Sequence, residues 1–158
     1  MVLGAYLVAT LLVILVFAFL PKRLHLLELW FNAIVYVYFY TYQFSVFTNL
    51  QFVSLPESPD KVAASIVVRF IMFPILALCF LQLYDSWRQR SRAAGFAAIV
   101  VSGGLLALVQ PLFHWTGIIR YSTAGMYWSA LAWFVLLGIY SGCMTIFRRL
   151  IREELLLP

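Results

Sequence analysis

"VYVYFYTY", residues 35–42, sets Tyr36, Tyr38, Tyr40 and Tyr42 at every second position, which taken alone is the alternation of a half-buried β-strand. Strand or helix here decides the fold, and the choice depends on the solvent around the segment. The chain has 158 residues, of which 65% are hydrophobic and only 11% charged, with a mean hydropathy of +0.97. Ordinary globular chains are about 45–50% apolar and about 25% charged. Water would not keep such a surface dispersed, so the composition points to an integral membrane protein.

The apolar residues fall into five blocks, approximately 2–20, 26–48, 62–84, 95–117 and 127–147, with the charges gathered between them. About 20 helical residues at 1.5 Å each cover the roughly 30 Å hydrocarbon core. Lipid offers no partner for a bare N–H or C=O, so each block must be a helix or part of a closed barrel. A barrel needs many strands of about 10 residues joined by polar turns, and this chain lacks those turns. The expected fold is therefore all-α, one transmembrane helical bundle of five spans over residues 1–158. In a helix Tyr36 and Tyr40 share one face, and Tyr38 and Tyr42 share another.

Basic residues orient the spans. Lys22, Arg23, Arg88, Arg90, Arg92, Arg148, Arg149 and Arg152 fall after the first, third and fifth blocks, whereas Lys61 and Arg120 stand on the other side. This predicts an N-out, C-in topology in which the basic clusters face anionic headgroups. The formal net charge of +5 is then a topological signal, and no nucleic-acid partner is implied. The first block lacks a basic stretch before it and carries "PKR" after it, so it reads as an uncleaved span. Trp30 and Trp87 on one boundary, with Trp115 and Trp128 on the other, fit aromatic belts. Ser58, Pro59 and Asp60 open the third helix as N-cap, first residue and dipole partner.

Close helix contact in lipid uses small residues. Gly138 and Gly142 in "GIYSG" and the column Ala94, Ala98 and Ser102 predict that the fourth and fifth spans meet near their cytoplasmic ends, with dimerisation as the alternative use of the glycines. Bulkier residues towards the outer ends of these two spans predict a cavity opening outwards between them.

Arg69, about seven residues inside the third block, lies on the order of 10 Å deep. An arginine there costs a few kcal/mol unless it snorkels to the headgroups or finds partners. Depth matching places Tyr40, Tyr42, Gln43 and Gln110 at its level, with His114, Arg120 and Tyr121 at the entrance. No acidic residue lies at that depth, so an anion is the missing partner: a phospholipid phosphate, a fatty-acid carboxylate or an acidic group of another subunit. Pro74 and Pro111 free the carbonyls of Phe70 and Ala107 in the same half. Glu28 sits near the cytoplasm with His25, Lys22 and Arg23 in reach, a charge cluster at the interface or a proton relay. Cys79 and Cys143 read as small buried hydrophobes.

No G-x-S-x-G, H-E-x-x-H or phosphate-binding loop occurs, and no metal site or cofactor is implied. At "LPKRLHLLELW", "FHWTGIIRY" and "YWSALAW" the chain resembles small uncharacterised multi-pass membrane proteins of spore-forming Firmicutes. That resemblance implies a bacterial plasma-membrane location and carries no catalytic residue. The expected function is binding of a lipid or small amphiphile, or of an acidic partner, around Arg69. The alternatives are a lipid-modifying membrane enzyme and a structural subunit of a membrane complex, with membrane lipids, a protein partner or a second copy as companions.

Overall fold

The computed structural model describes residues 2–20 and 26–155, the side chains of 152–155 excepted. Lys22, Arg23 and His25, expected beside Glu28, lie outside the described residues. Five helices make up nearly all of it: α1 (Val2–Phe19), α2 (Leu26–Asn49), α3 (Pro59–Arg88), α4 (Arg92–Thr116) and α5 (Thr123–Leu155). The tyrosine stretch lies inside α2. Tyr36 and Tyr40 are 1% and 6% exposed, while Tyr38 and Tyr42 are 69% and 66% exposed. A strand would have put all four on one side. The helix splits them, and Glu28, Asn32, Tyr36 and Tyr40 form its inward stripe.

Four of the helices, α1, α3, α4 and α5, are long and apolar enough to cross a membrane. α2 is long enough at 24 residues, but Glu28, Asn32, Gln43 and its tyrosines hold its hydropathy down. α1 is the most apolar of the four, with hydropathy 2.7, and the least covered, with 11% of its residues buried; α3 has hydropathy 2.4 and is half buried. A fold made in water buries its most apolar helix. Here that helix is outermost, which suits a hydrocarbon solvent.

α3 packs against all four other helices. It is broken at one point by a π turn, Val68–Met72, in which the Phe73 N–H reaches back to the Val68 carbonyl. Pro74 follows directly, buried in the helix. A proline ring collides with the carbonyl four residues before it, and the wider turn makes room for that ring. Single π turns of this kind are rare and recur at functional sites. This one contains Arg69.

Two strands of two residues join the connections at one end of the bundle. β1 (Val53–Ser54) pairs antiparallel with β2 (Arg120–Tyr121), Val53 opposite Tyr121 and Ser54 opposite Arg120. Ser122 N–H also donates to the Phe52 carbonyl at 3.0 Å, and a Cβ added to Gly125 would overlap that same carbonyl oxygen. Tyr6, near the start of α1, hydrogen-bonds Thr116 at the end of α4 at 2.8 Å, so the chain start lies at this strand end. The turn from Arg88 to Arg92 and the end of α5 lie at the opposite, basic end. Ser58 does stand before α3 with Pro59 as its first residue, but its side chain makes no cap bond.

Several sequence expectations require correction. Nothing lies within 4 Å of a Cβ placed on Gly138 or Gly142, so the GxxxG pair does not make the close contact expected with α4. The tight approach of α4 to α5 is at Gly103 instead, where an added Cβ would sit 2.6 Å from the Phe134 ring. Ala98 and Ser102 are buried on α4 and Ala94 is partly covered, while the neighbouring Gly95 faces Tyr84 and Arg88 of α3. The fifth block also ends too early at 147: α5 continues as helix through the basic cluster to Leu155. That continuation fixes where Arg148 points.

Candidate functional site

Arg69 leaves the π turn towards α2, and its guanidinium carbon stands 3.5 Å from the centroid of the Phe44 ring. A cation over a desolvated ring gains about 2 kcal/mol or more. Its own neighbour Phe70 offers a second ring at 5.5 Å, and the Tyr40 hydroxyl lies within hydrogen-bonding reach. This geometry carries the head group across the bundle rather than out along α3, so it differs from simple snorkelling. Among the described residues no carboxylate pairs with Arg69, and its buried Nε has no hydrogen-bond partner.

Beyond Phe44 and Tyr40, which touch this cation, the helices and the strand pair enclose a small cavity of about 10 Å³ lined by Tyr40, Gln43, Phe44, Tyr121, Ser129 and Trp133, room for roughly one water. Burial pushes the Tyr121 hydroxyl well up from its ordinary value, against the pull of Ser129 and of the Arg69 charge. It therefore stays a neutral hydroxyl. Gln110 Nε2 donates to Ser129 Oγ at 2.9 Å, which ties α4 to α5 in the half where an opening between them was expected. Gln43 Oε1, Gln110 Oε1 and Trp133 Nε1 are buried without partners.

The opening lies on the other side of α5. A groove of about 420 Å³ runs between α2 and α5, with Phe39, Tyr42, Trp128, Leu131 and Val135 among its walls. Gln43 and Phe47 line both the groove and the small cavity, so the apolar slot abuts the polar chamber. Its volume falls within the range of small-molecule pockets, about 300–1,000 Å³.

Of the residues the sequence singles out, Arg69 reaches Tyr40, Tyr40 and Gln43 line one small cavity, Gln110 joins through Ser129, and Tyr42 lies in the groove wall. His114 does not enter the chamber. It is exposed, and its Nδ1 accepts the Tyr121 N–H at 3.1 Å, bracing β2 from outside. Arg120 is exposed too, whereas Tyr121 turns in.

At the basic end stands a charge cluster around Glu28 in which the sequence reading missed Arg148 and Asp85. Arg148 of α5 grips Glu28 of α2 with two bonds, Nε to Oε1 at 2.7 Å and Nη2 to Oε2 at 3.2 Å, and its Nη1 donates to Asp85 Oδ1 of α3. Both carboxylates are buried. Arg148, expected at the headgroups, instead closes a three-helix clamp, and the Lys22, Arg23 and His25 expected beside Glu28 lie outside the described residues. The one available signal was Asp85, an acid beside an otherwise basic turn. Among the described residues no cluster of His, Cys, Asp or Glu is arranged to hold a metal ion, and Cys79 and Cys143 are free thiols.

Fold and site define a helical bundle with an apolar exterior and an apolar core that carries a minority of buried polar groups. Comparison with known protein families, with curated proteins and with solved structures gave no match. The functional reading therefore rests on the chemistry of the chain itself.

Proposed function

We propose that this chain is a five-span membrane protein, strand end outward and basic end in the cytoplasm, that binds an anionic amphiphile with its chain in the α2–α5 groove and its charge at Arg69. The carrying observation is a cation with no carboxylate partner among the described residues, beside a polar chamber that shares two wall residues with an apolar groove. A fixed positive charge in a low-dielectric setting favours an anion, and a guanidinium holds carboxylate or phosphate through two parallel bonds. The apolar groove supplies the area that a hydrocarbon tail covers, at roughly 25 cal/mol per Å². The chamber is smaller than such a head group, so binding requires the roof formed by β1 and β2 to shift. α2 counts as the fifth span because its ends are pinned at both ends of the bundle, by Arg148 at Glu28 and by β1 beyond Asn49. The basic clusters support a cytoplasmic position for that end, and a bacterial plasma membrane suits the resemblance in the sequence.

Brominated fatty acid added to the protein in phosphatidylcholine nanodiscs tests this reading through Trp128 and Trp133, which stand at the groove and chamber. Saturable quenching by the acid, at least tenfold weaker for its methyl ester, is expected, with brominated phosphatidic acid separating phosphate from carboxylate preference. Arg69→Leu should remove the distinction between acid and ester, and Arg69→Lys should retain part of it. Equal quenching by acid and ester in the native chain would refute the charge-directed site. Conversion of the lipid to product, lost in Arg69→Leu, would move the assignment to a membrane enzyme.

A further inference from the structure

The inward stripe of α2 is polar along most of the bundle. Glu28, Asn32, Tyr36 and Tyr40 are all buried, and each step of four residues rises about 6 Å. The Arg148 clamp gives α2, α3 and α5 a common starting level. From it, Asn32 and Gln82 lie about 5–6 Å towards the strand end, Tyr36 and Tyr140 about 12 Å, Tyr40 about 18 Å and Arg69 about 24 Å. Ring contacts confirm the order. Tyr36 is 5.4 Å from Tyr140 and stacks on Tyr40 at 5.3 Å.

Nearly every level carries a buried polar atom without a partner. These are Asn32 Oδ1, both amide atoms of Gln82, the hydroxyls of Tyr36 and Tyr140, and Arg69 Nε. One such atom costs about 1–3 kcal/mol, and native interiors keep only a few per 100 residues. By depth they follow one another along α2, α3 and α5, with Tyr140, Tyr36 and Tyr40 in ring contact and Arg69 within reach of Tyr40, a succession, or file, that bound water would complete. Asn32 Nδ2 already donates to the Glu28 carbonyl at 2.7 Å, which leaves its oxygen facing the file as an acceptor.

We propose that this file holds a row of bound waters and passes protons between the Glu28–Asp85–Arg148 clamp and the Arg69 chamber, with the Arg69 charge as its electrostatic gate. Hydroxyl and water groups both donate and accept, so a proton moves along them by successive exchange of hydrogen bonds. Glu28 and Asp85 supply the carboxylate oxygens at the basic end of the file. Arg69, fixed near the other end, repels the moving charge, as basic residues do in pores that exclude cations. Removal of that charge opens the path. The inference does not rest on amphiphile binding, because it needs no ligand.

Two measurements test it. In phosphatidylcholine vesicles with a pH-sensitive dye inside and a valinomycin potassium potential, Arg69→Gln should raise proton entry at least fivefold over the native chain. Adding Gln82→Leu and Tyr36→Phe to Arg69→Gln should return it to the protein-free rate. Entry by Arg69→Gln at the protein-free rate, in protein that elutes and reads helical as the native chain does, would overturn the proposal. So would entry that Gln82→Leu and Tyr36→Phe leave unchanged. The second measurement needs no substitution: radiolytic hydroxyl-radical footprinting in nanodiscs should label buried Tyr36 and Tyr140 through adjacent water, far faster than buried Phe113. Labelling of the two tyrosines no faster than Phe113 would mean a dry interior and end the proposal.

Discussion

Two arginines enter this bundle from opposite ends, and their surroundings are opposite too. Arg148 meets two buried carboxylates on two other helices. Arg69 meets rings and hydroxyls, with no carboxylate among the described residues. A charge answered inside the chain is a fastening, because both acids would stand uncompensated without it. A charge left unanswered favours whatever anion arrives from outside. On the proposed reading, the basic end is the fixed end of the molecule and the strand end its working end. The π turn and the two-residue strands both lie at the strand end.

The largest test of this contrast is a pair of deletions. Arg148→Met should lower stability in detergent, followed by denaturant unfolding, by about 3–5 kcal/mol, because Glu28 and Asp85 remain buried. Arg69→Leu should cost about 2 kcal/mol, the scale of its ring contact, since the guanidinium leaves no buried partner charge behind. Equal losses would break the comparison. If Glu28→Gln with Asp85→Asn recovers most of the Arg148→Met loss, the clamp reading is sharpened.

At the strand end the restraint is steric rather than electrostatic. Gly125→Ala would force a methyl group into the Phe52 carbonyl, and overpacking of this kind costs about 1–3 kcal/mol. Discrimination between brominated acid and ester should weaken with it, as the strand pair roofing the chamber is displaced. Retained discrimination would separate the roof from the site.

The smallest effect is expected at Gly142, on α5 near the clamp. Alanine has free space there, and helix propensity favours it over glycine by about 0.5–1 kcal/mol. Gly142→Ala should therefore raise stability slightly in a monomer. A loss, or a change of oligomeric state on size exclusion, would show that a second copy covers this face.

The candidate site was legible in part. Arg69 stood out because a charge within an apolar run is a local feature, and counting depth from the span boundary found Tyr40 and Gln43 across from it. The same counting included His114, which shares the level but points outside, and missed Phe44, whose ring takes the cation. Depth says which residues share a plane. It does not say which way a side chain turns within that plane. The GxxxG pair misled for a related reason, since a small-residue face permits close approach and does not require it.

Sequence alone determined what depends on neighbours along the chain: helix in place of strand at residues 35–42, the apolar blocks, the lopsided basic residues and the cation at Arg69. Hydrophobic free energy and insertion cost act on runs of adjacent residues, so these can be read from order alone. Only the tertiary structure decided that Tyr36 and Tyr40 turn in while Tyr38 and Tyr42 turn out. It alone brought Arg148 to Glu28, 120 residues away, and to Asp85, 63 away, and it placed the groove beside α2 rather than between α4 and α5. Those outcomes follow from the rotation of each helix about its axis and from which helices become neighbours, and both are fixed by packing between segments distant in the chain.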